Sequence, residues 1–192
     1  MRILIVVVLL IAATLGGMAI VAYSGWYDVS ARTPHAAPVA WFLSTTTHNS
    51  VEHRAALIDV PELKEESLIQ DGVADYDAMC AGCHGAPGKE RGAMGKGLNP
   101  QPPDLSDAAE HMSAAELFWV TKNGIRMTGM PAWGATHDDD ALWPVVAFLT
   151  HRLPELDAEG YRNYLAAAES AGHHSVAEPE SGEKHDHGSH RH

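Results

Sequence analysis

The longest apolar segment of the chain runs from Ile3 to Tyr23 and contains no charged residue. An α-helix needs about 20 apolar residues to cross the roughly 30 Å hydrocarbon core of a bilayer. A cleaved secretory signal has a shorter apolar stretch, about 7–15 residues, with a cleavage site soon after it, and is the alternative. Trp26 and Tyr27 follow where interfacial aromatic residues belong. The pattern predicts one membrane anchor over residues 1–25, with Arg2 on the cytoplasmic side.

The segment that follows the anchor contains Pro34 and Pro38 among small and polar residues, a composition typical of a tether. A helix is predicted from about Val39 to Ile58. Its apolar stripe is irregular, so the pattern leaves open whether this helix lies on the membrane surface or packs on the domain. We interpret residues 26–60 as a linker that contains a helix.

Residues 61–170 have the apolar spacing of a folded helical domain. Ser113 and Glu116 form a predicted capping box at the start of one helix, and Gly124 ends it. The predicted helices of this domain lie at about 66–81, 113–123, from residue 139 or 140 onward, and 157–168. The first of them runs directly into the two cysteines of the chain.

Two stretches rich in glycine and proline, residues 85–103 and 125–136, separate these helices and are predicted to be loops, the first of them without regular structure. Pro144 falls within the helix that begins near residue 139, and we expect it to be tolerated because it is close to the first turn. No strand pattern and no internal repeat occurs. The predicted fold class is all-α, with a helical domain preceded by a single N-terminal transmembrane helix.

The formal net charge of the chain is −12. A nucleic-acid backbone repels such a surface, so nucleic acid is excluded as an expected partner. Five basic residues nevertheless fall within one part of the acidic domain, namely Lys89, Arg91, Lys96, Lys122 and Arg126. They suggest a locally distinct docking patch for a protein partner, although scattered solvated charges would give the same count.

The chemistry of the chain is concentrated at Cys80, Cys83 and His84, which have the spacing of a c-type haem attachment motif. Two thiols three positions apart at a helix end can each form a thioether with a haem vinyl group. His84 would then lie below the iron as the proximal ligand, with its other ring nitrogen bonded to a backbone carbonyl. One covalent haem c is therefore the expected cofactor.

Three other interpretations of the two cysteines are weaker. A zinc site would need further ligands in a tight array, and the chain has no second cysteine pair. A thioredoxin-like dithiol would need a strand–helix–strand setting. A structural disulfide would leave the adjacent histidine without a role.

The sixth iron ligand should be a thioether or imidazole well downstream of the motif. Met130 is favoured because Gly129 removes bulk on one side, while Pro131 holds Met130 in an extended backbone. Met127 is the second choice, and Met130 could also be only a gap-filling apolar residue. The complete set of candidates is Met94, His111, Met112, Met127, Met130 and His137.

From about Glu66 to Leu153 the chain resembles the class I cytochromes c. The resemblance implies that Gly72 and Tyr76 pack against Phe148 of a later helix, where the missing side chain of glycine permits a close crossing. It also implies that the carbonyl group of Pro103 accepts a hydrogen bond from the proximal histidine, and that Leu105 packs on the haem. The segment upstream of this domain is similar to the linkers of single-span, membrane-bound cytochrome c subunits.

The C-terminal segment, residues 171–192, is rich in histidine, glycine, serine and acidic residues and is predicted to be disordered. Imidazoles at this density can bind copper, zinc or nickel. A purely solvating tail, or a remnant of purification, is the alternative. The candidate ligands are His173, His174, His185, His187, His190 and His192.

Three functions remain open from the sequence. The favoured one is an electron carrier on the periplasmic face of a bacterial cytoplasmic membrane, anchored by a single span and exchanging single electrons with a dehydrogenase or a terminal oxidase. The second is a haem enzyme or gas sensor with a labile distal ligand. The third is a metal-handling protein that uses the histidine-rich tail.

Overall fold

The structure is a computed structural model that describes residues 1–171. The predicted tail ligands from His173 to His192 lie outside the described residues. Within residues 1–171 the chain is helical and forms no strand, apart from an isolated bridge between Ala86 and Lys89. The all-α prediction is confirmed.

The N-terminal unit, Met1–Ala36, contains helix α1 (Arg2–Ser24). None of its residues is buried, and its length and apolar composition are sufficient to cross a membrane. Gly25 ends the helix in the left-handed conformation, with a φ of 67°. The predicted span agrees with this helix within one residue at each end.

Helix α2 (Ala37–Ala55) belongs to the same compact unit as all later described helices. Its C-terminal half packs against α7 (Ala114–Asn123), with Val51 and Ala55 buried. The guanidinium group of Arg54 lies 6.0 Å from the ring centre of Trp119. Of the two settings open from the sequence, this half of α2 therefore packs on the domain.

Helix α3 (Glu66–Asp75) continues as a π-helical turn, Tyr76–Cys80, and then as α4 (Ala81–His84). The prediction of one regular helix that ends at residue 81 was therefore wrong in two ways. The segment contains a π turn, and it ends three residues later than predicted. The π turn accommodates one extra residue per turn. It keeps Tyr76, Cys80 and Ala81 all buried although they follow one another closely along the chain.

The first predicted loop contains a short helix, α5 (Ala93–Gly97), so the prediction of no regular structure there was wrong. A further helix, α6 (Leu105–His111), was not predicted. Asp104 caps it by accepting a hydrogen bond from the amide of Ser106 at 2.9 Å. This local cap allows a seven-residue helix that has little apolar periodicity.

Helices α7, α8 (Asp139–His151) and α9 (Ala158–Ser170) complete the described fold. The predicted capping box between Ser113 and Glu116 is present, and the side chains of Asp138 and Asp157 cap the other two helices. Helix α8 begins at Asp139, as predicted, and Pro144 is its sixth residue and is buried. Its missing N–H removes one interior hydrogen bond.

The core is the crossing of α3 and α8, onto which α7 and α9 also pack. Tyr76 and Phe148 meet at this crossing with ring centres 5.3 Å apart, while Phe118 stacks on Trp143 at 3.8 Å. In α8 every residue from Leu142 to Leu149 is buried, so this part of the helix is surrounded by the core on all sides. This crossing fixes α3, and with it the π turn and α4 that follow and carry the two cysteines.

Candidate functional site

The two cysteines lie at the end of the α3–α4 segment and form no disulfide. Cys80 is part of the hydrophobic core. Cys80 is 6% exposed, and burial raises the pKa of its thiol to about 12. Cys83 is half-buried. A Cβ on Gly95 of α5 would overlap the backbone of Cys83, so this glycine allows α5 to lie directly against the motif.

The imidazole of His84 lies with Nδ1 2.9 Å from the carbonyl oxygen of Pro103. Because a carbonyl only accepts, this contact assigns the proton to Nδ1 and leaves Nε2 with a free lone pair. Burial lowers the pKa of His84, which favours the neutral ring. The structure thus brings His84 and Pro103 together, and Leu105, two residues on, is half-buried against the core.

Tyr76 supports the same corner of the fold. Its hydroxyl donates to the carbonyl oxygen of Gly85 at 2.7 Å, immediately after His84. Gly85 has a φ of 82°, a conformation that glycine adopts easily and that ends α4. The buried tyrosine therefore ties the end of the motif to the α3–α8 crossing.

The loop that carries Met130 is closed by short hydrogen bonds. The amide of Ile125 donates to the carbonyl of Met130 at 3.3 Å, and the amide of Met130 donates to Oγ1 of Thr128 at 3.1 Å. A Cβ on Gly124 would lie 2.7 Å from the carbonyl oxygen of Met130, so a glycine is needed at that point. Met130 is half-buried in this pinned loop.

The other candidate distal ligands are differently placed. Met94 and Met127 are exposed, at 73% and 78%, and Met127 has a φ of 62°. Met112 packs against the core. Nδ1 of His111 faces the carbonyl of Asp107 in its own helix, and the ring of His137 packs edge-on against Trp133.

Residues 67–149 match the family model described as cytochrome c oxidase, cbb3-type, subunit III. The matched segment includes both cysteines, His84 and Met130, and covers a little under half of the chain. This segment is a c-type cytochrome domain. No curated protein and no solved structure matches the chain.

A cytochrome c domain carries covalently bound haem, and the chain is therefore an electron-transfer haem protein. The residues present fit this group. Two unpaired thiols flank one turn of helix, and a neutral imidazole beside them has one free nitrogen. Imidazole and thioether are established haem-iron ligands.

A cleft of about 310 Å³ opens beside His84 of the cytochrome domain. Its lining is His84, Gly85, Lys89, Glu90, Arg91, Lys96 and Asp104. Arg91 lines this cleft, and its Nε is buried without a hydrogen-bond partner.

Sequence reasoning did not single out Thr128, Gly95 or the orphaned donor of Arg91. A Met-x-Gly-Met sequence gives no sign that the hydroxyl of the threonine at x accepts a hydrogen bond from the amide of the second methionine.

Of the five basic residues considered for a docking patch, Lys89, Lys96 and Lys122 form ion pairs with Asp77, Glu90 and Asp139. Their charges are therefore locally balanced.

Proposed function

We propose that this chain is a membrane-anchored cytochrome c with one haem, which relays single electrons and catalyses no reaction of its own. The observation that carries the proposal is the 2.9 Å contact between Nδ1 of His84 and the Pro103 carbonyl, directly beside the two unpaired thiols. Two cysteines in the whole chain allow one attachment motif, hence one haem.

Each residue has a distinct role in this proposal. Cys80 and Cys83 would hold the cofactor covalently, His84 would bind the iron through Nε2, and Pro103 orients the imidazole. Leu105 would pack on the haem. Haem iron supplies the one-electron couple when it is bound.

Met130 is proposed as the sixth ligand. It is half-buried in a loop closed by Thr128 and Ile125, whereas Met127 is largely exposed. If His84 and Met130 both bind the iron, no coordination position would be left for a small substrate. This favours an electron carrier over an enzyme or gas sensor. Methionine ligation also raises the reduction potential.

The proposed location is the bacterial cytoplasmic membrane, with α1 as a single span and the haem domain on the periplasmic face. A helix of 23 residues, with Arg2 at its first position as its one charged residue, supports the span. The family match supports a redox partner within an oxidase-type complex, either the oxidase itself or a dehydrogenase that feeds it. Anchoring would keep the carrier close to that partner and tolerate a weak contact.

The test begins with purified full-length protein. We expect haem to remain on the chain after acid–acetone extraction, and a redox titration to accept one electron per chain. The reduced protein should not bind carbon monoxide rapidly. Extractable haem would refute covalent attachment, while rapid and complete carbon monoxide binding would replace the carrier with the enzyme or sensor.

A further inference from the structure

Helix α2 has two halves with different surroundings. The C-terminal half packs on α7 through the buried residues Val51 and Ala55. In the first two turns three large side chains face solvent, with Val39 43%, Trp41 68% and Phe42 61% exposed, while Leu43 is half-buried. The same rigid helix therefore presents an apolar, aromatic end that the described domain does not cover.

The charge pattern narrows what can cover this end. From Val29 to Val51 there is no acidic residue, and Arg32 is the only side chain with a full charge, although the chain has a net charge of −12. An anionic surface repels acidic residues and tolerates a single arginine. This segment can therefore approach anionic lipid headgroups, whereas the acidic surface of the rest of the domain would be repelled by them.

The short separation of α1 and α2 along the chain also favours a contact between the start of α2 and lipid. Twelve residues separate Ser24, the end of α1, from Ala37, the start of α2. Such a segment spans at most about 40 Å even when fully extended. Trp26 and Tyr27, at 86% and 54% exposure, begin this tether with two residues that prefer the membrane interface.

We propose that the first two turns of α2, residues 37–43, lie in the interface of the bilayer that α1 spans, with Trp41 and Phe42 inserted among the lipids. This inference rests on the proposed membrane anchor. Tryptophan combines an apolar body with a polar N–H, which suits the boundary between headgroups and acyl chains. A helix that inserts aromatic side chains gains binding energy from the apolar area it buries there.

The contact would give α2 a positioning function. Because its second half packs on α7, the helix would transmit the orientation of the membrane surface to the cytochrome domain. The domain would then be held at a defined angle instead of rotating freely on its tether. Restricting rotation increases the fraction of encounters in which a membrane-bound partner meets the correct face.

The test uses the full-length haem protein in lipid vesicles. A spin label is attached to a new cysteine at one position at a time, and its accessibility to oxygen and to a water-soluble nickel complex is measured. For Phe42→Cys we expect high oxygen and low nickel accessibility in vesicles. Asn49→Cys, exposed in the half of α2 that packs on the domain, is the matched control and should remain accessible to nickel.

A label at Ala12→Cys in α1 reports the span independently. If Ala12 is protected and Phe42 is accessible to nickel, the anchor stands and the interfacial contact is refuted. If Ala12 is also accessible to nickel, the proposed anchor itself has failed. Spin–spin broadening at Phe42 that grows with the protein-to-lipid ratio would show a second copy on this surface and would overturn the lipid contact.

A second measurement uses charge. Phe42→Asp should raise the nickel accessibility of a label at Val39→Cys, because a carboxylate is expelled from the interface. Asn49→Asp should leave that label unchanged. Equal accessibility in both variants would also overturn the proposal.

Discussion

The backbone of Gly72 lies directly against the carbonyl group of Pro144, where α3 crosses α8. A Cβ at position 72 would overlap the Pro144 carbonyl oxygen and lie 2.9 Å from Cβ of Phe148. Both obstacles belong to the fully packed face of α8, which cannot move without disturbing the core. The crossing is thus closed to any side chain at this point.

Gly72→Ala should lower the free energy of unfolding by about 1–3 kcal/mol, because one methyl group forces the two helices apart. Thermal unfolding of the haem-loaded protein measures the effect. Gly97→Ala is the matched control, since a Cβ there meets nothing within 4 Å. Equal melting temperatures for the two variants would contradict the close crossing.

Met130→Ala should abolish the far-red absorption band of sulfur–iron ligation and open the reduced iron to carbon monoxide. Met127→Ala should leave both properties unchanged, because Met127 is 78% exposed at the tip of the same loop. Optical spectra of the two purified variants make the comparison. Loss of the band in Met127→Ala alone would reverse the assignment of the ligand.

Thr128→Val should make the loop around Met130 less rigid without replacing Met130 as the ligand. The hydroxyl of Thr128 donates to the carbonyl of Ile125 at 2.7 Å and accepts from the amide of Met130 at 3.1 Å. Valine keeps the shape but loses both hydrogen bonds. We expect the sulfur–iron band to persist while exogenous imidazole displaces the methionine faster than in the parent or in Thr136→Val.

Stability should fall above pH 10 because three tyrosines are held protonated in the fold. Burial is the main cause that raises the pKa of Tyr164 to about 12 and shifts the pKa values of Tyr76 and Tyr161 in the same direction. Unfolded tyrosines lose their protons near pH 10. The unfolded chain therefore binds fewer protons above that pH, and the free energy of unfolding decreases as pH rises from about 10 to 12.

Tyr161→Phe isolates one of these contributions. The hydroxyl of Tyr161 donates to Asp77 at 2.8 Å, so its removal should cost about 1–3 kcal/mol at pH 7. The same variant should show a shallower loss of stability between pH 10 and 12. Urea unfolding followed by far-ultraviolet circular dichroism measures both, with Tyr27→Phe in the exposed tether as the control. A parallel pH profile for Tyr161→Phe and the parent would remove Tyr161 from the effect.

The sequence predicted helices whose ends carry local signals. Ser113 with Glu116, and Gly124 after them, set the bounds of α7, and these are chemical signals within a few residues of each other. The π turn could not be predicted, because Tyr76 and Cys80 are four residues apart and also satisfy an ordinary α-helical spacing. The wider turn brings Ala81, five residues after Tyr76, onto the same buried face, and only the packed core reveals this.

The distal loop shows a similar limit. Gly129 and Pro131 favoured Met130 over Met127 in the sequence, but the two methionines are three residues apart in one loop, so their exposure could not be predicted. The difference arises from the hydrogen bonds of Thr128 and from the close approach of Gly124 to the Met130 carbonyl. Those contacts depend on how the chain folds back after α7, which no local pattern encodes.

The burial of Cys80 sets an order of events for the maturation of this chain. At 6% exposure, its sulfur is out of reach of an enzyme or a small thiol reagent once α3 has closed onto α8. In the proposed haem protein, thioether formation at Cys80 would therefore have to come while this crossing is still open, on an incompletely folded polypeptide. Closure of the crossing would then shield the finished bond from solvent and from later chemical attack.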